Sequence, residues 1–332
     1  MNPWLLPDAP EPGWALIACA PALALTVDRL FGEPAARWHP VVWMGHWLAW
    51  AGARLAPAAG EPPVHTPAGI FWGAALSWCA AAAAVFALAW WFQAWVLTQP
   101  VWLAALALGL FLKPLLAWAL LHDEVLAVEQ ALGESLDAGR ARLARLVSRD
   151  VTALDATQVR ESAIESLAEN LNDSLVAPLF WFSLLGLPGA ALFRFANTAD
   201  AMWGYRGVRP LGGVARDWTW AGKWAARADD VLGWLPARLT GLLILLLGGA
   251  WRAGGRLLAQ ARRTPSPNGG WPMAAMALAL GVALRKPGVY GLNEDARAPQ
   301  PADTLRACAL GSRTVLATTV LASAALLWGL AG

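Results

Sequence analysis

The sequence predicts an all-α, polytopic integral membrane protein with amphipathic and re-entrant helices and a polar site at its cytoplasmic membrane face. Three observations carry this. Hydrophobic residues make up 58% of the 332 and charged residues only 14%, with a mean hydropathy of +0.45, which lies outside the range of soluble globular chains. Several apolar runs approach the roughly 20 residues that a helix needs to cross a bilayer. The 22 Trp against 2 Tyr include many near the ends of those runs, among them Trp72, Trp95, Trp102, Trp234, Trp251 and Trp271, in the manner of an interfacial belt.

The elements follow in order along one membrane domain, residues 1–332. Residues 14–27 have no basic segment before them and no cleavage signature after them, and read as a retained, short helix rather than a signal peptide. Pro40–Leu55 spreads its apolar residues around a helix that also carries His46 and Arg54, which suits an interfacial helix. Residues 69–97 and 101–121 are spans, the second kinked at Lys113-Pro114. Residues 122–174 form a polar helical region, with a surface helix over Glu124–Val147. Residues 175–195 are too interrupted by Gly186-Leu-Pro-Gly189 for a clean crossing and read as a re-entrant pair of half-helices. Spans are expected again at 235–251 and 314–330, with a shorter apolar segment at 271–284. Thr264–Gly270 and Arg285–Asp303 are rich in turn formers and read as loops. The distant Cys19, Cys79 and Cys308 read as inert packing residues. A net charge of +2 with dispersed basic residues predicts no nucleic-acid partner.

The densest chemical signal is Arg160-Glu-Ser-Ala-Ile-Glu-Ser-Leu-Ala-Glu-Asn-Leu-Asn-Asp-Ser174. Glu161, Glu165, Glu169 and Asp173 are spaced by four, so a helix places all four carboxylates on one broad face. Like charges at that spacing destabilise a helix by a few tenths of a kcal/mol per pair. No Lys or Arg lies between Arg160 and Arg194 to relieve them. A divalent cation, a basic segment from elsewhere in the chain or a cationic substrate would neutralise the stripe.

Two further polar clusters flank the apolar segments. One is Asn197-Thr-Ala-Asp200-Ala-Met-Trp-Gly-Tyr-Arg206, and the other Lys223-Trp-Ala-Ala-Arg-Ala-Asp-Asp230, which continues through Arg238. Oxygen donors dominate the stripe and the first of these; cations join in the second. Mg2+ is held by one or two carboxylates plus substrate phosphates, and Arg offers planar bidentate donors to phosphate. The three clusters together suit a phosphate-bearing substrate with Mg2+. Solvated faces, helix caps and interfacial ion pairs are the competing structural readings of each cluster taken singly. His39 and His46 lack metal-ligand spacing. Phosphate-loop, dinucleotide-fold, zinc-protease and serine-hydrolase motifs are absent.

These residues resemble the CobD/CbiB family of membrane proteins. The resemblance runs from Asp28-Arg-Leu-Phe-Gly-Glu-Pro34 and His39-Pro-Val41 through Arg149-Asp150, Glu165, Ala168-Glu-Asn170, Asp173 and Ala177-Pro-Leu-Phe180. It continues through Asn197-Thr198, Asp200, Gly204-Tyr205, Ala226-Arg227, Asp229-Asp-Val231, Pro236-Ala-Arg-Leu239 and Ser266-Pro-Asn268. The sequence departs from the family pattern at Glu33, Ser148, Asn172, Ser174 and Phe193-Arg194, and Gly207–Ala221 is longer than expected.

The resemblance implies an adenosylcobinamide-phosphate synthase of cobalamin biosynthesis in the inner cell membrane. Its reaction joins the propionate carboxylate of adenosylcobyric acid, a corrinoid, to (R)-1-amino-2-propanol phosphate or a related amine, driven by ATP with Mg2+. On that reading Glu165, Glu169, Asp173 and Asp200 hold the metal. Arg206, Arg227 and Arg238, with Asn197 and Asn170, bind substrate and phosphate. Asp229 and Asp230 serve catalysis, and Glu161, which matches no family position, is solvated. The implied partners are the two substrates, the lipid bilayer and other late membrane enzymes of the same pathway. Two alternatives stand beside it: a non-enzymatic AmpE-like signalling protein, and an Mg-dependent prenyl or phosphatidyl transferase. Trp38, Trp43, Trp218 and Trp220 are expected to be exposed, as anchors or as stacking faces for a planar ligand.

Overall fold

A computed structural model describes residues 12–61 and 63–331. The chain is an all-α polytopic membrane protein, and among the described residues four segments are long and apolar enough to cross a bilayer: Pro67–Val96, Val101–Glu134, Lys223–Leu247 and Pro301–Trp328. The amino-terminal run forms not one helix but two, α1 (Pro12–Ala18) and α2 (Ala20–Phe31). α3 (Pro40–Leu55) buries Leu48, Ala51 and Gly52 and leaves Trp43 and Trp50 exposed, the asymmetry of an interfacial helix. α4 (Pro67–Val96) follows, capped by the Thr66 side chain.

The second span is interrupted rather than kinked. α5 (Val101–Leu112) stops at a 3-10 turn, Lys113–Leu115, and α6 (Trp118–Glu134) starts afresh. The cause is more than proline. Lys113 is buried and its ammonium stands 3.3 Å from Asp28 and 2.9 Å from Glu33, a pairing that a buried cation requires. The polar region is likewise broken, into α6, α7 (Leu136–Leu143) and α8 (Ala156–Leu171). Ser135 caps α7 through Ala138 N. Asp155 opens α8 with a reciprocal box, accepting from Gln158 N at 2.8 Å while Asp155 N donates to Gln158 Oε1 at 2.9 Å.

α9 (Ala177–Leu185) and α10 (Leu187–Trp203) meet at the expected helix break, turning at Gly186 with φ 71°, and α10 runs on past the predicted end at 195. Nine residues give α9 a length of about 13 Å, less than half a bilayer core. The turn is pinned by α4, whose buried Gln93 accepts from Leu187 N at 2.7 Å; a Cβ on Gly186 would overlap that carboxamide.

The hairpin β1 (Val208–Leu211) and β2 (Val214–Asp217) occupies the long insertion before α11 (Lys223–Leu247). α11 begins well before the predicted 235–251 because its charged first turns keep helical spacing; the apolar run marked the span, not the helix. Trp218 is buried, stacked on Trp203 at 6.2 Å, and not the exposed face its sequence context suggested. α12 (Gly254–Ala261) and α13 (Gly270–Leu280) come next. α13 replaces the candidate span at 271–284. It is eleven residues long and buried on all sides, a core helix. The predicted loop 285–303 contains the hairpin β3 (Leu284–Lys286) and β4 (Tyr290–Leu292), closed over Pro287-Gly288-Val289. α14 (Pro301–Ala331) also starts earlier than 314. The buried Asp303 fixes that start by accepting from Arg297, Arg306 and Gln300 N.

Two prolines inside the helical core show how the elements lock together. Pro178 has no N–H for the Ser174 carbonyl, which accepts from Ala117 N at 3.2 Å instead. Pro236 likewise frees the Leu232 carbonyl, and the Trp181 indole donates to it at 3.0 Å. The larger core lies where α8, α9, α13 and α14 meet, with a second, Trp-rich core among α3, α4, α10 and the segment leading into α11.

Candidate active site

Seven of the predicted residues gather where α8, α10 and α11 converge. α8 contributes Glu165 and Glu169. Asp173 comes from the single π turn Asn172–Val176 that joins α8 to α9. Such a turn inserts one extra residue, reorients the side chains beyond it and is common at functional sites. Asn172 ties it down, accepting from Thr240 at 2.9 Å and donating to Asp173 Oδ1 at 2.8 Å. α10 presents Asn197 and Asp200, and α11 presents Asp229 and Asp230. The Asn197 carboxamide lies within reach of both Asp173 and Asp229. Asp229 senses the charges of Asp173, Asp200 and Asp230, and Glu169 those of Asp173, Glu165 and Asp200. Two glycines make the room: a Cβ on Gly204 would collide with the Asp200 carboxylate, and one on Gly269 would lie 2.8 Å from Glu169 Oε1.

The stripe on α8 is buried rather than solvated. Glu161 is 1% exposed and Glu165 5%, so the reading of Glu161 as a solvated fourth acid is corrected. The stripe faces the protein interior, and its counter-charges arrive from other segments. Arg285 of β3 stands 3.6 Å from Glu161, and Arg149, on the loop before α8, 4.0 Å from Glu165. Lys286 adds its charge near Glu165 and Glu169. Of the three possibilities left open by the sequence, a basic segment from elsewhere in the chain is realised. These cations offset burial only partly. Burial pushes the carboxyls of Glu161, Glu165 and Glu169 up to about 7.

A sequence profile of the family described as CobD/Cbib protein matches residues 21–312. The chain belongs to the CobD/CbiB family. It is 40% identical over 310 residues to the probable cobalamin biosynthesis protein CobD of Methanothermobacter thermautotrophicus, covering 92% of this chain and 96% of that relative. It is 44% identical over 276 residues to the cobalamin biosynthesis protein CobD of Chromobacterium violaceum, 79% of each chain. With the Brucella suis protein of the same name the identity is 38% over 282 residues, 81% of this chain and 82% of the relative. No solved structure matches.

The predicted arginines of this CobD/CbiB protein divide. Arg206 is exposed at the rim, close enough to Asp230 to sense its charge. Arg227 is exposed and makes no hydrogen bond or ion pair among the described residues. Arg238 is committed elsewhere. It lies against Trp234 and Trp271, at 4.2 and 4.8 Å from the ring centroids, and donates to Asn268 Oδ1 at 2.9 Å and the Pro267 carbonyl at 3.2 Å. That bond holds the Ser266-Pro-Asn268 loop against α11, where Asn268 in turn donates to the Asp230 carbonyl at 2.8 Å. Asn170 donates to the Ser166 carbonyl at 2.9 Å, one turn back on its own helix.

The donor set of the family member suits a hard cation in one specific way. Among the described residues no three His, Cys, Asp or Glu side chains are arranged to hold a metal by themselves. Glu165 and Glu169 lie on α8, Asp173 on the π turn that follows it and Asp200 on α10. Yet Glu165 Oε1 and Asp229 Oδ1 are buried with no hydrogen-bond partner, and clustered oxygens of this kind fit Mg2+ that completes its shell with substrate phosphate and water.

Sequence reasoning missed Arg285, Lys286 and Tyr290 by reading their segment as loop, although Pro287-Gly288 between short extended runs signals a hairpin. It also missed Lys113 and Arg194 as charges needing partners. The guanidinium of Arg194 donates to the Asp173 carbonyl and to Ser174 Oγ, each at 3.4 Å. A lone cation within an apolar segment was the available signal.

Proposed function

We propose that this protein acts in cobalamin biosynthesis at the inner cell membrane, as the ATP-dependent ligase that joins adenosylcobyric acid to (R)-1-amino-2-propanol phosphate. The observation that carries the reading is family membership over residues 21–312 in a chain whose buried carboxylates converge from three helices. The relatives' names supply the pathway, and the carboxylate cluster suits the chemistry.

A carboxylate is a poor electrophile, so its oxygen first attacks the γ-phosphorus of ATP, releasing ADP and leaving an acyl phosphate. The amine nitrogen then attacks the acyl carbon, and inorganic phosphate departs with the C–O bond electrons. Asp173 and Asp200, with Glu169 behind them, would hold Mg2+, which when bound neutralises phosphate charge. Arg206 at the rim meets the ATP phosphates. The nucleophile must be a free amine, and Asp229, its Oδ1 buried and unpartnered, takes the ammonium proton. Asn197 holds Asp173 and Asp229 in register. Arg238 serves by anchoring the 266–268 loop.

Purified protein incubated with adenosylcobyric acid, aminopropanol phosphate and Mg-ATP is expected to form adenosylcobinamide phosphate and ADP. Omitting any one component should abolish product. A protein that forms no amide under these conditions and carries no red corrinoid through detergent purification would overturn the proposal in favour of a signalling role. Turnover of a lipid diphosphate or a CDP-alcohol would instead favour the transferase reading.

A further inference from the structure

α11 has a second face that the mechanism above does not use. At about 100° per residue, the stretch from Asp229 to Arg238 turns the helix through about 900°, so Arg238 stands on the side opposite Asp229. There it walls a cavity of about 680 Å3, shared with α12, the first turn of α13 and the loop between them. Trp234, Leu235, Leu258 and Trp271 make the apolar walls, Arg238 and Arg262 supply charge, and no acid lines it. No Asp or Glu lies between Asp230 and Glu294 along the chain, whereas Arg252, Arg256, Arg262 and Arg263 crowd the segment after the span.

The two cations differ. The Arg238 guanidinium is committed to the 266–268 loop and lies against two indoles, so it supplies a fixed charge. Arg262 is exposed, and its side chain makes no hydrogen bond or ion pair among the described residues. The indole N–H groups of Trp234 and Trp271 find no acceptor among them either. What extends from the cavity separates a soluble anion from a lipid. Leu235, Leu239, Leu242 and Leu246 follow one another at spacings of four, three and four, so they share one face of α11, and they are 36 to 61% exposed. The row begins in the cavity wall and runs for about 17 Å, close to half of a hydrocarbon core about 30 Å thick. A soluble anion would fill the cationic end and leave the row bare. An acyl chain covers it.

We infer that the cavity and the leucine row together form a site for one anionic phospholipid, with its headgroup between Arg238 and Arg262 and an acyl chain along Leu239, Leu242 and Leu246. Trp234 and Trp271 stand at the junction, where an indole meets headgroup with its N–H and hydrocarbon with its ring. The selection is for net negative charge on an amphiphile: two cations with no acid beside them disfavour a zwitterionic headgroup, whose ammonium they repel. The site is built on the face of α11 turned away from Asp229, so it stands whatever reaction the carboxylate cluster performs.

Equilibrium binding of radiolabelled dioleoylphosphatidylglycerol to the full-length protein in detergent micelles tests this. Saturable binding is expected, with dioleoylphosphatidylcholine, which has the same chains, weaker by about 10-fold or more. Glycerol 3-phosphate, a headgroup without chains, should not compete. Arg262→Gln should weaken binding of the anionic lipid by about 5-fold, the loss of one basic side chain at a membrane surface, and Arg262→Lys should restore most of it. Leu242→Asn should weaken both lipids. Both side chains are exposed, and unfolding curves establish that each variant is intact. Equal binding of the two lipids, or an unchanged Kd in Arg262→Gln, would overturn the site. Competition by glycerol 3-phosphate would assign the cavity to a soluble anion, and displacement of the lipid by adenosylcobyric acid would assign it to the corrinoid; either result sinks the lipid proposal.

Discussion

Two buried carboxylate arrangements meet on α8, and they are built on opposite plans. On one face Arg160 grips Glu129 of α6 with two bonds of 2.7 and 2.6 Å, and Thr304 of α14 donates to the same carboxylate at 2.7 Å. This knot is closed: planar donors match planar acceptors, and three helices are fastened together. At the very next residue the same helix begins a run of acids whose cations stand 3.6 to 4.0 Å away and whose oxygens include unpartnered ones at Glu161 and Glu165. Burial of charge is common to both, so burial alone does not mark a site. What differs is satisfaction. The closed knot serves stability, and the open run is left for something that is not part of the chain.

The comparison predicts opposite consequences for stability and activity. The largest effect belongs to Arg160→Ala, which leaves the half-buried Glu129 without its bidentate partner. Unfolding in detergent micelles should show a loss of about 3–5 kcal/mol, and the surviving folded fraction should keep its specific activity. Next, Asp229→Asn should cut amide formation by at least about 100-fold. Its unfolding midpoint should hold or rise, because one of several mutually repelling charges is gone. A midpoint that falls as far as that of Arg160→Ala would erase the distinction between the two regions.

A smaller effect tests the turn that returns α10 toward the site. Gly186→Ala meets both a positive φ and the Gln93 carboxamide, and should cost about 2 kcal/mol. Gly249→Ala, with a similar φ of 70° but open space around it, should cost only about 1 kcal/mol.

The open run also carries a pH dependence. Glu161, Glu165 and Glu169 titrate near 7 in the folded protein against 4.5 ordinarily. Between those values the folded state binds more protons than the unfolded one. Their contribution to stability is therefore fully present below about pH 4.5, declines as pH rises through about 7, and is flat above. Unfolding midpoints measured from pH 5 to 8 should fall, and Glu161→Gln should make the slope shallower. A midpoint that climbs across this window would contradict the burial of the run.

By itself the sequence determined the membrane class, the amphipathic α3, the helix break at Gly186 and the identity of the clustering acids. Each of these is written in local chemistry: an apolar run must leave water, Gly-Leu-Pro-Gly must break a helix, and carboxylates spaced by four must share a face. The starts of α11 and α14 were hidden because charged turns such as Lys223–Asp230 continue a helix without continuing an apolar run. Only the tertiary structure decided that the acidic face points inward and which cations meet it. Lys286 lies 121 residues from Glu165 along the chain, and no periodicity reports a contact made by a hairpin folding back. Arg238 illustrates the converse, a residue whose type suits phosphate but whose guanidinium is already held by two indoles and a loop. Residue types declare what a side chain can bind; packing decides whether that capacity is already spent.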